Sequence, residues 1–324
     1  MLSRVAESVY WMSRYLERAE NTARFLDVNW RLMLDSPAPE QEQWQPLVMV
    51  SGDQRAFFKA YDEASRENVV HFLTFDANNP NSIISCLMNA RENARCIREI
   101  IPTEMWEITN TFYHDMAQAS RRPNDVADNP FDFCTNVKSR GLLLSGVSAD
   151  AMAHDEVWDF FRMGKLLERA DKTSRILDVK YFTLLPKDAE VGSTLDYVQW
   201  TALLKAASGL QAYRRREGRI YPIAIVKFLM LDHEFPRAVL YCLAEAQDRL
   251  HAITGNRIGH FGNPAEKQLG LLCSELSYLA VEDIFSRGLH EFTDSLQVRM
   301  NNVDNAVYET FFATYPAIDA GLEQ

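Results

Sequence analysis

The sequence predicts an all-α protein, an internally duplicated multi-helix bundle, on three observations. Its first thirty residues place apolar side chains at alternating spacings of three and four, the signature of a helical seam. Alternating strand patterns are nearly absent. A thirteen-residue helical motif occurs twice, 151 residues apart. Glycine (13) and proline (12) are scarce in the 324 residues, which argues against β-sandwiches, Gly-rich phosphate loops and long linkers.

The opening seam consists of Leu2, Val5, Val9, Met12, Leu16, Ala19, Ala23, Leu26, Trp30 and Met33. It predicts one long helix from about Ser3 to Leu34, stopped by Pro37-Ala38-Pro39. Later helix starts are expected where a capping side chain precedes a proline or an acid. These are Asn79-Pro80, Ser193-Thr194-Leu195-Asp196 and Asn263-Pro264-Ala265-Glu266, where Glu266 completes a capping box.

The repeated motif divides the chain. Leu16-Glu17-Arg18-Ala19-Glu20-Asn21-Thr22-Ala23-Arg24-Phe25-Leu26-Asp27-Val28 returns as Leu167-Glu168-Arg169-Ala170-Asp171-Lys172-Thr173-Ser174-Arg175-Ile176-Leu177-Asp178-Val179, identical at nine of thirteen positions. The seam returns with it, as Met163, Leu167, Ala170, Ser174, Leu177 and Tyr181. A second block matches at an offset of 156, carrying Phe72-Leu73, Asp76, Pro80, Cys86-Leu87, Ala90 and Ile97 onto Phe228-Leu229, Asp232, Pro236, Cys242-Leu243, Ala246 and Ile253. Two copies of one helical unit, about 1–150 and 151–324, are therefore expected to pack as one body about a pseudo-twofold axis.

Composition excludes several functions. A net charge of −11 argues against a general nucleic-acid binder, which needs surplus cations to neutralise phosphates. The N-terminus does not read as a secretory signal. The longest apolar run, Tyr221–Leu231, is too short to span a bilayer. Five widely spaced cysteines without a Cys-x-x-Cys suggest free thiols in the cytoplasm.

With the seam fixed, Glu17 and Arg24 share one row of the first helix, flanked by Arg14 and Asn21. Arg18 emerges instead between Trp11 and Phe25, with Tyr15 and Thr22 alongside, where a guanidinium needs a carboxylate to offset its desolvation. Neighbouring residues on one helix diverge by about 100°, so Glu17 is a poor partner for it. A twofold arrangement predicts cross-pairs instead: Glu17 with Arg169, and Glu168 with Arg18. Such pairs are either buried clamps that fix helix register or the floor of an anion or carboxylate site, where a planar fork is the natural ligand. Glu20, Arg24 and Asp27, repeated as Asp171, Arg175 and Asp178, read as an exposed charge ladder along each helix.

Arg91, Arg95 and Arg98 form an i, i+4, i+7 basic stripe without a counterpart in the second half. It reads either as a salt-bridged face, with Glu92, Glu99 and Glu104 nearby, or as a dock for a phosphate, a carboxylate or an acidic partner. Tyr213–Arg219 reads as a solvated basic turn. Glu104, Glu107 and His114, and likewise Asp150 and His154, share helical faces, but neither set has a metal-binding pattern, so no metal is expected. Walker, dinucleotide and Gly-x-Ser-x-Gly motifs are missing from the sequence, so no bound cofactor is expected and the chain is not expected to bind ATP by itself.

Tyr10-Trp11-Met12 running into Arg14-Tyr15-Leu16-Glu17-Arg18-Ala19-Glu20-Asn21 resembles the bacterial alpha-E domain family, named for its Glu-Arg helix motif. Gly164–Asp171 resembles its internal counterpart, and Asn89–Arg95, Ile97-Arg98-Glu99 and Trp106-Glu107 resemble its midsection. Arg162 departs from the pattern, standing where the first copy has Trp11. The resemblance implies a neighbourhood of ATP-grasp-type ligases and transglutaminase-like proteins, and with it a role in forming or modifying peptide or amide bonds. The expected function is a helical accessory or interaction protein of such a system, with a peptide or carboxylate ligand. Two alternatives stand beside it: an enzyme using Glu17 or Glu168 as general acid or base, and a purely structural oligomerisation module.

Overall fold

The computed structural model describes residues 1–33, 40–184 and 194–313. Pro37, Ala38, Pro39 and Ser193 lie outside the described residues, as do the side chains of Met33, Tyr181 and Asp196. Among the described residues, sixteen α-helices and a closing π turn (Tyr308–Phe312) make up the regular structure and no strand occurs. The first eight helices are α1 (Ser3–Met33), α2 (Glu40–Ser51), α3 (Gln54–Ala60), α4 (Arg66–Thr74), α5 (Ile83–Cys96), α6 (Thr103–Ala119), α7 (Pro123–Asp128) and α8 (Pro130–Ala151). The remainder are α9 (Glu156–Leu184), α10 (Thr194–Ala206), α11 (Leu210–Glu217), α12 (Pro222–Leu231), α13 (Val239–Thr254), α14 (Pro264–Ser277), α15 (Val281–Arg287) and α16 (Leu289–Val307).

The expected long first helix is present, and its seam is its most buried row. Val9, Met12, Ala19, Ala23 and Leu26 are fully buried, whereas Leu2 precedes the helix and is exposed. On α9, Met163, Leu167, Ala170, Ser174 and Leu177 are buried in the same way. The two long helices pack on each other, and each gathers its own neighbours. Helix α1 lies against α5, α8 and α10, and α9 lies against α13, α16 and α2. One contiguous apolar core runs from Ala6 to Phe312, and each large side chain fully buried in it stabilises the fold by about 1.5–3 kcal/mol.

Gly164 sets the approach of α1 to α9. A Cβ there would stand 2.5 Å from Ser13 Oγ and 2.6 Å from the Tyr10 carbonyl oxygen, so only glycine lets the backbones come this close. Gly141 on α8 plays a similar part, since a Cβ would run into the Glu20 carboxylate.

Two expected caps are corrected. Helix α5 starts at Ile83 with Ser82 as its cap, its Oγ accepting from Ser85 N. Asn79 is committed elsewhere: its Oδ1 accepts from Asn81 N and its Nδ2 donates to the Phe72 carbonyl, which closes the α4–α5 turn. At α14, Asn263 does cap Glu266 N. The Glu266 carboxylate reaches past the cap residue, however, and accepts from Gly262 N and from the Thr254 and Asn256 side chains.

Candidate functional site

The centre of the molecule is the α1–α9 crossing, where both expected cross-pairs form. Arg18 donates from Nε and Nη2 to the two oxygens of Glu168, at 2.7 and 2.9 Å. Arg169 donates in the same way to Glu17, at 2.8 and 2.9 Å. Both are planar forks on carboxylates, the strongest geometry an arginine offers. The same helical phase that buries the seam aims each glutamate across the interface, so neither pairs with its own sequence neighbour.

Further cations close each site. Glu168 also accepts from Arg14 Nε at 2.9 Å and lies 3.5 Å from Lys172 Nζ. Arg14 in turn pairs with Asp304 at 2.6 Å and donates to the Tyr10 hydroxyl. Arg18 spends Nη1 on Asn81 Oδ1 and lies over the Tyr15 ring. Glu17 accepts from Asn21 Nδ2 and from Arg237 Nη1, and Arg237 Nη2 donates to Glu20 at 2.6 Å. Burial pushes both glutamates up, but the cations outweigh it: Arg169 and Arg237 at Glu17, and Arg18, Lys172 and Arg14 at Glu168. Both carboxyls are held well below the usual range and stay ionised.

The intrahelical pairs Glu20–Arg24 and Asp171–Arg175 of the charge ladders form, but the ladders are corrected in exposure and in the partners of Asp27 and Asp178. Glu20, Arg24 and Asp27 are buried under the surrounding helices instead of facing solvent. Arg24 donates from Nε and Nη2 to Glu20, then from Nη1 to the Ala206 carbonyl and Ser208 Oγ. Asp27 pairs with Arg31 and Lys138 instead. Arg175 holds Asp171 at 2.9 Å and the Val50 carbonyl, while Asp178 accepts from Thr293 and Gln297.

The arginine stripe lies apart from the crossing, on α5 against α6. Arg91 donates to Asn110 and Glu92 and lies over Trp106 and Tyr113. Arg95 is 64% exposed and pairs with Glu92. Arg98 does not continue the helical row, because α5 ends at Cys96; it folds back over Trp106 from the following turn. None of the described contacts of these three arginines reaches the Glu-Arg pairs.

Four charged residues of the crossing escaped the sequence reading: Arg237, Lys165, Lys172 and Asp304. A signal existed for two of them. Arg237 follows Pro236 as Asn81 follows Pro80, and Lys165 lies 151 residues after Arg14. The Lys165 amine is buried and donates to Ser145 Oγ at 2.5 Å. It lines a cavity of about 10 Å³ beside Ser13, Glu17 and Glu20, room for one water. Burial, and then repulsion from Arg169, pull its pKa down to about 7 against the attraction of Glu17 and Glu20.

No group of three or more His, Cys, Asp or Glu side chains that would hold a metal occurs among the described residues. Among the same residues no helix is long and apolar enough to cross a membrane.

The family model of a predicted alpha-helical domain with a conserved ER motif matches residues 1–312. An uncharacterized protein of Mycobacterium bovis is 24% identical over 271 residues, covering 78% of this chain. Two uncharacterized proteins of Mycobacterium tuberculosis match to the same extent. The chain spans 30% of the length of these relatives. No solved structure matches it.

Proposed function

The chain belongs to the Alpha-E family, and from that premise we propose that it is a helical accessory protein of a peptide- or amide-bond-modifying system. It acts beside an ATP-grasp-type ligase or a transglutaminase-like protein, the partner classes that the resemblance implies, and performs no chemistry alone. The observation that carries this is the saturation of the Glu-Arg pairs. Both oxygens of Glu17 and of Glu168 accept from arginine forks, and both carboxyls are held ionised. A general acid or base needs a free lone pair and a pKa near the working pH, so these glutamates act as register clamps.

The clamps belong to a duplicated architecture of two eight-helix units about a pseudo-twofold axis, α1–α8 and α9–α16. Helix order supports it, as does reciprocity beyond the motif. Arg24 reaches the Ala206 carbonyl and Arg175 the Val50 carbonyl, positions 156 residues apart. Gly52 and Ser208, at the same offset, both carry positive φ. Cys86 and Cys242 each donate to the carbonyl of a proline six residues earlier.

The accessory role draws further support from the relatives, in which the matched segment is part of a much longer polypeptide. The exposed Arg95, beside Arg91 and Arg98 on their aromatic shelf, offers an acidic partner a docking point outside the clamps. Five free cysteines, Cys96 among them exposed, favour a reducing cytoplasm. Co-expression with an ATP-grasp-type ligase and a transglutaminase-like protein from the same organism, followed by affinity capture, tests the proposal. Co-purification of at least one is expected, weakened by Arg95→Glu; failure to capture either overturns it.

A further inference from the structure

The two ends of the α1–α9 crossing are unequal in charge. Around Arg18, the cations Arg14, Arg18, Lys172 and Arg175 meet Glu168, Asp171, Asp304 and, through Asn81, Asp53. Around Arg169, the cations Arg24, Arg162, Lys165, Arg169, Arg237 and Arg249 meet Glu17, Glu20, Asp159 and, at the rim, Glu245. The first end is balanced. The second holds six cations against four carboxylates, in surroundings where unpaired charge is costly.

The surplus has a definite address. Arg162 stands where the other end has Trp11, and its guanidinium lies over the Trp158 ring at 5.7 Å. It makes no hydrogen bond or ion pair among the described residues, and its buried Nε has no partner. Arg249 of α13 lies over the same ring at 5.2 Å. It is paired through Nη1 with Asp159, yet its Nε is also buried without a partner, as is Trp158 Nε1. Arg169 completes the group one turn pair along α9, its Nη1 held only by a 3.4 Å contact to the Pro236 carbonyl. Three buried donors at one place without acceptors, beside a cation surplus, are the complement of an anion. For Lys165, Arg237 and Arg162 alike, Arg169 is the strongest depressing influence after burial.

We propose that the α9–α13 contact at Arg162, Arg249 and Trp158, backed by Arg169, is a binding site for a tetrahedral dianion of the phosphate type. With Lys165 half protonated near pH 7 the surplus lies between one and two charges, which a dianion offsets, and its oxygens can accept from donors on both helices. Arg169 lends only its Nη1 to the site, so its fork on Glu17 stays occupied.

Calorimetric titration of the full chain with inorganic phosphate at pH 7 and low salt tests this, with acetate as the monoanion. Phosphate is expected to bind and acetate to bind at least about tenfold more weakly, since acetate brings one charge and two acceptor oxygens where the dianion brings two charges and up to four oxygens. Arg162→Gln, which touches neither clamp, is expected to lose about tenfold or more in phosphate affinity, the equivalent of one such bond. Arg95→Gln, remote from the site, is expected to leave it unchanged. Absence of phosphate binding, equal binding of acetate, or full affinity in Arg162→Gln overturns the proposal. If that variant does not fold, phenylglyoxal labelling of the wild-type protein substitutes. Phosphate must then protect Arg162 and not Arg95, and unprotected Arg162 overturns the site.

Discussion

Glu168→Gln is the sharpest test of the clamp. The substitution keeps shape and volume and removes one charge from a side chain with no exposure. Three hydrogen bonds from Arg14 and Arg18 then meet a neutral amide, half of which is itself a donor, and Lys172 at 3.5 Å loses its attraction. Arg14 retains Asp304, and Arg18 retains Asn81 and the Tyr15 ring, so the damage is partly contained. Removing one partner of a buried pair costs about 3–5 kcal/mol, and the retained contacts favour the middle of that range. At about 2.1 cal/mol/K of unfolding entropy per residue, 4 kcal/mol lowers Tm by roughly 6 °C. Urea unfolding followed by circular dichroism, with calorimetry for Tm, measures both. Adding Arg18→Gln to the variant is expected to cost far less than Arg18→Gln alone, with about 2 kcal/mol of coupling or more. A loss below about 1 kcal/mol, the range of a solvated surface pair, would refute the clamp.

Lys165→Met is expected to stabilise the protein by about 1–3 kcal/mol at pH 6, because a buried cation without an ion pair is replaced by an apolar chain of similar length. Its folded pKa of about 7 lies below the free value of 10.5. The burial penalty is therefore complete below pH 7 and fades as pH rises towards 10.5; wild-type stability should gain over that interval and the variant's should not. Equal pH slopes in urea titrations would contradict this. A fall in pH acts in the same sense, over a lower interval, through Glu17, Glu168 and Asp171, all held below their usual values by neighbouring cations that overcome burial. Their stabilisation is present above about pH 4.5 and is lost as pH falls towards their folded values; Asp159, Asp178 and Asp304, raised by burial, offset part of the loss. Glu168→Gln should flatten the acid slope, and an unchanged slope would contradict the assignment. Gly164→Ala is expected to cost about 1–3 kcal/mol by wedging α1 from α9, whereas Gly146→Ala, with open space at the new methyl, should gain about 0.5–1 kcal/mol. Reversal of that order would refute the close-approach role of Gly164.

The first helix was legible from its start at Ser3 because its apolar phase is unbroken from Val5 to Leu26. The cross-pairs were legible because that phase fixes where Glu17 and Arg18 point, and the repeat supplies partners of opposite sign. The same phase misled at Glu20, Arg24 and Asp27. A wheel separates an apolar row from a charged one, but cannot tell that helices α8 and α10 cover the charged row of α1 as well. Arg237 and Asp304 arrive from remote elements, 220 and 290 residues beyond Glu17 and Arg14, and no local spacing encodes such a meeting. Arg98 failed as part of a row for a local reason: the helix ends two residues before it, at a boundary marked by neither glycine nor proline.

The separation between partners at the crossing sets an order of events on the ribosome. Arg18 and Glu168 are 150 residues apart, and Glu17 and Arg169 are 152 apart. At translation rates of about 5–20 residues per second, the first helix waits roughly 8–30 s for its counterions to be made. Throughout that interval a nascent α1 cannot bury Glu17 and Arg18 without leaving both signs unpaired, and its apolar seam stays accessible to chaperones. The crossing can close only after α9 leaves the exit tunnel with Glu168 and Arg169, and its Glu20 end only after Arg237 follows. Helix α1, made before all of these, is thus enclosed after them.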